Sequence, residues 1–177
     1  PFKEFCEETE EVNNDTVTED AETVFKNFFI SDVRADSTWL NTTGLTRLAN
    51  VPENAESISV IFMPGLSCCL DTLIYSGTSV ETAAINYAKA VDGIIDIYTE
   101  SQLKYDFYLC TMGPVDSDYQ CSLCNDGKIT KTRLNEAIKT FNNKVKDNCK
   151  AKILDCYAYL DSTGYETLDG VVYTADT

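Results

Sequence analysis

The residues best equipped for chemistry in this chain are its cysteines. Cys121-Ser-Leu-Cys124 forms a C-x-x-C pair. That spacing supports dithiol–disulfide exchange when the thiol pKa is lowered by its surroundings. It also supplies half of a tetrahedral zinc site when a second pair or two histidines complete the set. The chain has eight cysteines and no histidine. No proline follows the C-x-x-C and no βαβ pattern is read around it, while Cys149 and Cys156 stand seven positions apart. Redox and zinc readings are therefore the weaker ones, and no metal site is expected. The expected role of Cys6, Cys68, Cys69, Cys110, Cys121, Cys124, Cys149 and Cys156 is structural bridging. Cys68 and Cys69 are adjacent, so they should take different partners, because a ring between neighbours is strained. Connectivity stays open, since eight cysteines allow 105 pairings.

The missing histidine also removes Ser-His-Asp, Cys-His and histidine–zinc machinery, together with the usual protein ligand of haem iron. Paired carboxylates of the glycosidase kind remain formally available, but no feature locates such a pair among the acids. There is no glycine-rich phosphate loop and no nucleophile elbow. The expectation is a protein that is not an enzyme and carries no cofactor.

Bulk properties narrow the partners. The chain has 177 residues, 29 acidic and 14 basic, for a net charge of −15. That field repels nucleic acid and anionic membrane. No apolar run approaches the ~20 residues that span a bilayer, so no membrane insertion is expected. The cysteine content, the sequons at Asn14-Asp15-Thr16 and Asn41-Thr42-Thr43, and a start that reads like a processed N-terminus point to a secreted glycoprotein.

These residues need elements to position them. Residues 1–20 read as an acidic arm pinned by Cys6, and residues 21–177 as one domain. The cluster Val24, Phe25, Phe28, Phe29 and Ile30 fits either a helix or the approach to a strand. Ser57–Phe62 alternates as a strand does, ending at Pro64-Gly65, and 68–77 reads as its hairpin partner. Residues 82–93 are ambiguous between helix and strand, and 93–100, "GIIDIYTE", reads as a strand. Two further strands, 103–113 and 118–126, read as a hairpin across Gly113-Pro114. The clearest helix follows at 130–148, with Leu134, Ile138, Phe141 and Val145 on one face and Thr130 or Thr132 as its cap. Residues 150–160 read as a closing strand, and 171–173 as a short one in the tail.

This order, many short strands and then one late helix, resembles the lipocalins. Their Thr-Asp-Tyr-x-x-Tyr motif is echoed by "LKYDFYLCT", which keeps Tyr105, Asp106 and Tyr108 with Lys104 in the acidic position. The run from Tyr119 through Val145 is similar to the family's last barrel strand, polar turn and helix, although Arg133 is displaced from the family's arginine. The first-strand Gly-x-Trp signature is replaced by Asn27 and Phe29. Divergent lipocalins of arthropods, those of ticks included, also lose it and carry extra disulfides. The resemblance implies an eight-stranded antiparallel up-and-down barrel with one C-terminal helix packed on its wall. It aims Tyr105, Phe107, Leu109 and Thr111 inward.

On that fold Phe62, Tyr75, Tyr87 and Tyr98 join them around a cavity, with Asp96 as an acceptor for a ligand amine if it faces inward. The bland alternative is that the aromatics fill a core and Asp96 faces water. The expected function is a secreted carrier or scavenger of a small hydrophobic or amphiphilic molecule, such as a biogenic amine or lipid mediator. The alternative is a secreted, disulfide-rich effector or inhibitor that binds protein and has a solid core.

Overall fold

The computed structural model describes residues 38, 40–41, 57–75, 77–100, 104–120, 127–168, 170 and 173–174. All fall within residues 33–177, which form one unit. The expected arm at 1–20, its boundary at residue 20 and the apolar cluster at 24–30 lie outside the described residues.

The elements alternate. Strand β1 (Ser57–Phe62) leads to helices α1 (Ser67–Ile74) and α2 (Val80–Thr99), then to β2 (Lys104–Cys110). A two-residue ladder of β3 (Tyr119–Gln120) and β4 (Lys128–Ile129) precedes α3 (Lys131–Asn148). Strand β5 (Lys152–Leu154) and helix α4 (Cys156–Thr163) follow. β2 is the centre of a three-stranded sheet in the order β1-β2-β5, and both of its neighbours run parallel to it.

That topology overturns the eight-stranded antiparallel barrel. Up-and-down barrels join antiparallel neighbours by hairpins, whereas parallel neighbours need a crossover, here supplied by helices. The beta-barrel and the missing βαβ pattern are both corrected: β1 to β2 and β2 to β5 are each strand–helix–strand units. The hairpin partner expected at 68–77 is α1, the strand expected at 93–100 is the last part of α2, and the closing strand at 150–160 is three residues of β5 followed by α4. Among the described residues the hairpin expected between 103–113 and 118–126 is not formed: β2 pairs with β1 and β5, and β3 pairs with β4.

Helix α2 shows why. Its buried positions Ala84, Tyr87, Ala88, Val91 and Ile94 repeat every three or four residues straight through Gly93. The adjacent residues Tyr87 and Ala88, and Ala90 and Val91, are all buried, a helical pattern that strand alternation does not give. Ser79 caps the start, its side chain accepting from the Thr82 N–H at 3.2 Å. Helix α3 stands where its periodicity predicts, with Leu134, Ile138, Phe141 and Val145 buried, and Thr130 as its cap at 3.3 Å from the Arg133 nitrogen.

The sheet has two unlike faces. Phe62, Phe107 and Leu109 are buried in the core, and Val60, Tyr105 and Ile153 pack against it. α2 lies over this face, where the Tyr98 ring meets Tyr105 with centroids 4.9 Å apart. α2 and α3 pack side by side, the Tyr87 ring edge-on to Phe141 at 5.8 Å. Burial of each such large side chain contributes about 1.5–3 kcal/mol. The opposite face carries Ser59, Ile61, Asp106 and Tyr108, with Ile61 55% exposed. There Lys152 pairs with Asp106 at 2.7 Å and lies over the Tyr108 ring.

Candidate functional site at the carboxyl end of the sheet

In parallel α/β sheets the carboxyl ends of the strands are where ligands are usually held. Here those ends gather Cys110, Thr111, Asp155 and Cys156. Thr111 is nearly inaccessible and makes three bonds. Its N–H donates to the Leu154 carbonyl (3.0 Å), its hydroxyl donates to Asp155 Oδ1 (3.0 Å), and that hydroxyl accepts from the Tyr157 N–H (2.9 Å). Asp155 caps α4 by accepting from the Ala158 N–H at 3.2 Å, and its other oxygen meets Lys146 Nζ at 2.9 Å. Partial burial pushes the Asp155 carboxyl up, but the Lys146, Ala158 and Thr111 hydrogen bonds outweigh it and hold the group below its ordinary value.

The loop after β2 is clamped along α3 by two side-chain amides. Asn142, 3% exposed, accepts from the Met112 N–H (3.0 Å) and donates to the Met112 carbonyl (2.8 Å). Asn135 treats Val115 the same way, at 2.9 Å for both bonds. The two asparagines are seven residues apart, two helical turns on one face. Each offers the loop what a neighbouring strand would offer, so backbone groups that could face a ligand are already paired. The tail closes the loop from its other side. Tyr173 Oη donates to the Pro114 carbonyl at 2.7 Å, and the Gly170 carbonyl accepts from the Asp116 N–H at 2.8 Å. Gly113 leaves the room that the Tyr173 ring occupies.

Cys110, Cys149 and Cys69 are poor nucleophiles at neutral pH. Burial, and then the neighbouring Cys156 thiol, push the Cys110 thiol up to about 11. Burial pushes Cys149 up to about 11, with the Asp92 carboxylate adding to it and a backbone hydrogen bond from Ala151 opposing it. Burial also raises Cys69 far above its ordinary value. Such groups stay thiols at neutral pH, whereas exchange chemistry needs thiolate. Among the described residues, no three Cys, Asp or Glu side chains are grouped so as to hold a metal ion. No helix among them is long and apolar enough to cross a membrane.

The residues singled out as cavity lining are placed as follows. Phe62, Phe107, Tyr105 and Tyr98 form one aromatic row, with centroid separations of 6.2, 5.7 and 4.9 Å between successive rings. Tyr87 and Leu109 are buried in the same core. The Tyr87 hydroxyl has no hydrogen-bond partner among the described residues, and burial holds its pKa well above the usual phenol value. Tyr75 is on the surface just past α1. Asp96 is on the exposed side of α2, where both its oxygens meet Lys150 Nζ, at 2.7 and 2.9 Å. One turn earlier Asp92 accepts from the Lys150 N–H at 2.8 Å, so the pair fastens α2 to the turn before β5. Asn41 is exposed. Asn14, Cys6, Cys121 and Cys124 lie outside the described residues.

Sequence reasoning passed over Asn135, Asn142 and Asp155, and took Thr111 only as an inward residue of the barrel. The seven-residue spacing of the two asparagines beside the apolar stripe of α3 was the available signal. No family model matches the chain, and no curated protein or solved structure does.

Proposed function

We propose that the chain is a secreted, disulfide-braced module that binds a protein partner through its surface, in the manner of an effector or inhibitor. It neither encloses a small molecule nor catalyses a reaction. The observation that carries this reading is the aromatic row. Phe62, Phe107, Tyr105 and Tyr98 contact one another, and Tyr87 contacts Phe141, so the rings expected to hold a ligand hold each other. The 111–115 loop beyond β2 is likewise tied to the protein itself, by Asn135 and Asn142.

The net charge of −15 supports a basic partner surface, since a field of that sign speeds encounter with cationic proteins. Ile61 and Met63, 55% and 60% exposed at the end of β1, supply apolar area of the kind an interface covers. Native mass spectrometry of the full chain from a secreting host tests the reading. The expected mass is polypeptide plus glycan with nothing retained, and no saturable binding of a hydrophobic fluorescent probe. A stoichiometric small molecule in the spectrum overturns the proposal in favour of a carrier.

A further inference from the structure

We propose that Cys110 and Cys156 form a disulfide bond that fastens helix α4 to the carboxyl end of β2. The backbone brings them together. Cys110 pairs with Leu154 in the parallel register, two residues before Cys156. The residue after Cys110 then bonds to both neighbours of Cys156: the Thr111 hydroxyl donates to Asp155 Oδ1 at 3.0 Å and accepts from the Tyr157 N–H at 2.9 Å. With Asp155 and Tyr157 both fixed to Thr111, Cys156 is held beside Cys110, near enough for its thiol to raise the Cys110 pKa. A disulfide needs Cβ atoms about 3.8 Å apart, a spacing that the backbone sets, after which rotation about Cα–Cβ brings the two sulfurs together.

The chemistry balances with a low-molecular-weight disulfide, oxidised glutathione, as oxidant. Cys156 is half-buried and Cys110 is buried, so Cys156 is the accessible thiol. Its thiolate attacks the glutathione S–S bond, forming a mixed disulfide and releasing one glutathione thiolate. Cys110, whose thiol is pushed up to about 11, then loses its proton to the mildly alkaline refolding buffer in a small fraction of molecules, attacks the adjoining Cys156 sulfur and displaces the second glutathione as its thiolate. Two protein thiols lose two protons and two electrons, and one glutathione disulfide becomes two thiols.

The bond removes Cys110 from the partners open to Cys121 and Cys124. It leaves six cysteines, which allow 15 pairings rather than 105.

Peptide mapping tests the bond directly. The full chain, refolded from complete reduction in a buffer of reduced and oxidised glutathione, is alkylated under denaturing, non-reducing conditions and cleaved before aspartate. The fragments 106–115 and 155–160 each contain one cysteine, Cys110 and Cys156 respectively. The expected product is these two fragments linked, two hydrogens lighter than their sum, separating on reduction. Recovery of either fragment alkylated, or linked to any other cysteine, overturns the proposal.

Discussion

Phe141-Asn142-Asn143-Lys144 contains two neighbouring asparagines that sequence alone treats alike, and the structure separates their fates. Asn142 is buried and satisfies both backbone groups of Met112, while Asn143 is exposed. Replacing Asn142 by alanine strands one buried N–H and one buried carbonyl. Each such group costs about 1–3 kcal/mol when left without a partner. Alanine returns about 0.5 kcal/mol through its better helix propensity. The expected net loss for Asn142→Ala is therefore about 1.5–5.5 kcal/mol, or roughly 3–22 °C in melting temperature for a chain of this size. Asn143→Ala has only the propensity gain and should be neutral or stabilising by about 0.5 kcal/mol. Urea denaturation followed by far-ultraviolet circular dichroism, with the two variants run beside the parent, reads the difference as a shift in midpoint at constant slope. Equal midpoints for the two variants, or a loss below about 0.5 kcal/mol for Asn142→Ala, would refute the clamp.

Three further outcomes are expected. Gly93→Ala should stabilise the chain by about 0.5–1 kcal/mol in the same assay, because Gly93 lies inside α2 and an added Cβ meets nothing within 4 Å; destabilisation there contradicts a helix through residue 93. Gly113→Ala should destabilise it, because the new methyl collides with the Tyr173 hydroxyl and the Leu160 side chain, and thermal melting reads the loss. Asp155 gives a pH signature whose sign follows from its lowered pKa: the stability it contributes is present above the ordinary aspartate value of 3.8 and drains away as pH falls below that, through the folded-state value. A melting-temperature scan from pH 5 to pH 2 should therefore fall less steeply for Asp155→Asn, which keeps a cap on α4 but cannot pair with Lys146.

What the sequence revealed depended on how local its signals were. β1 and β2 were legible because Ser57–Phe62 and Lys104–Cys110 alternate between a core face and an open face. α3 was legible because its stripe and its Thr130 cap agree. α2 was split in error at Gly93, since a glycine on an exposed helical position looks like a break although nothing in the packing requires one. α4 was read as strand for a different reason: it buries none of its residues completely, so it has no apolar stripe, and its tyrosines favour extended chain. Its one readable sign was Asp155 at the cap.

Parallel pairing was beyond reach, because alternation places a strand's faces and says nothing of its partner or direction. The site followed the same rule. Phe62, Tyr98, Tyr105 and Phe107 do come together, but whether a row of rings surrounds a hollow or packs on itself is decided by elements distant in sequence. The amide clamps depend on a loop meeting a helix 20 and 30 residues later, a contact without a local trace.

The most direct test of a solid interior is an aromatic-resolved nuclear Overhauser spectrum of the full chain, recorded alone and during titration with a long-chain fatty acid and with an aromatic amine. Cross-peaks between Phe62 and Phe107, Tyr98 and Tyr105, and Tyr87 and Phe141 are predicted, with ring shifts that stay put throughout both titrations. Saturable movement of those ring signals, with loss of the ring-to-ring cross-peaks as ligand is added, would contradict the account.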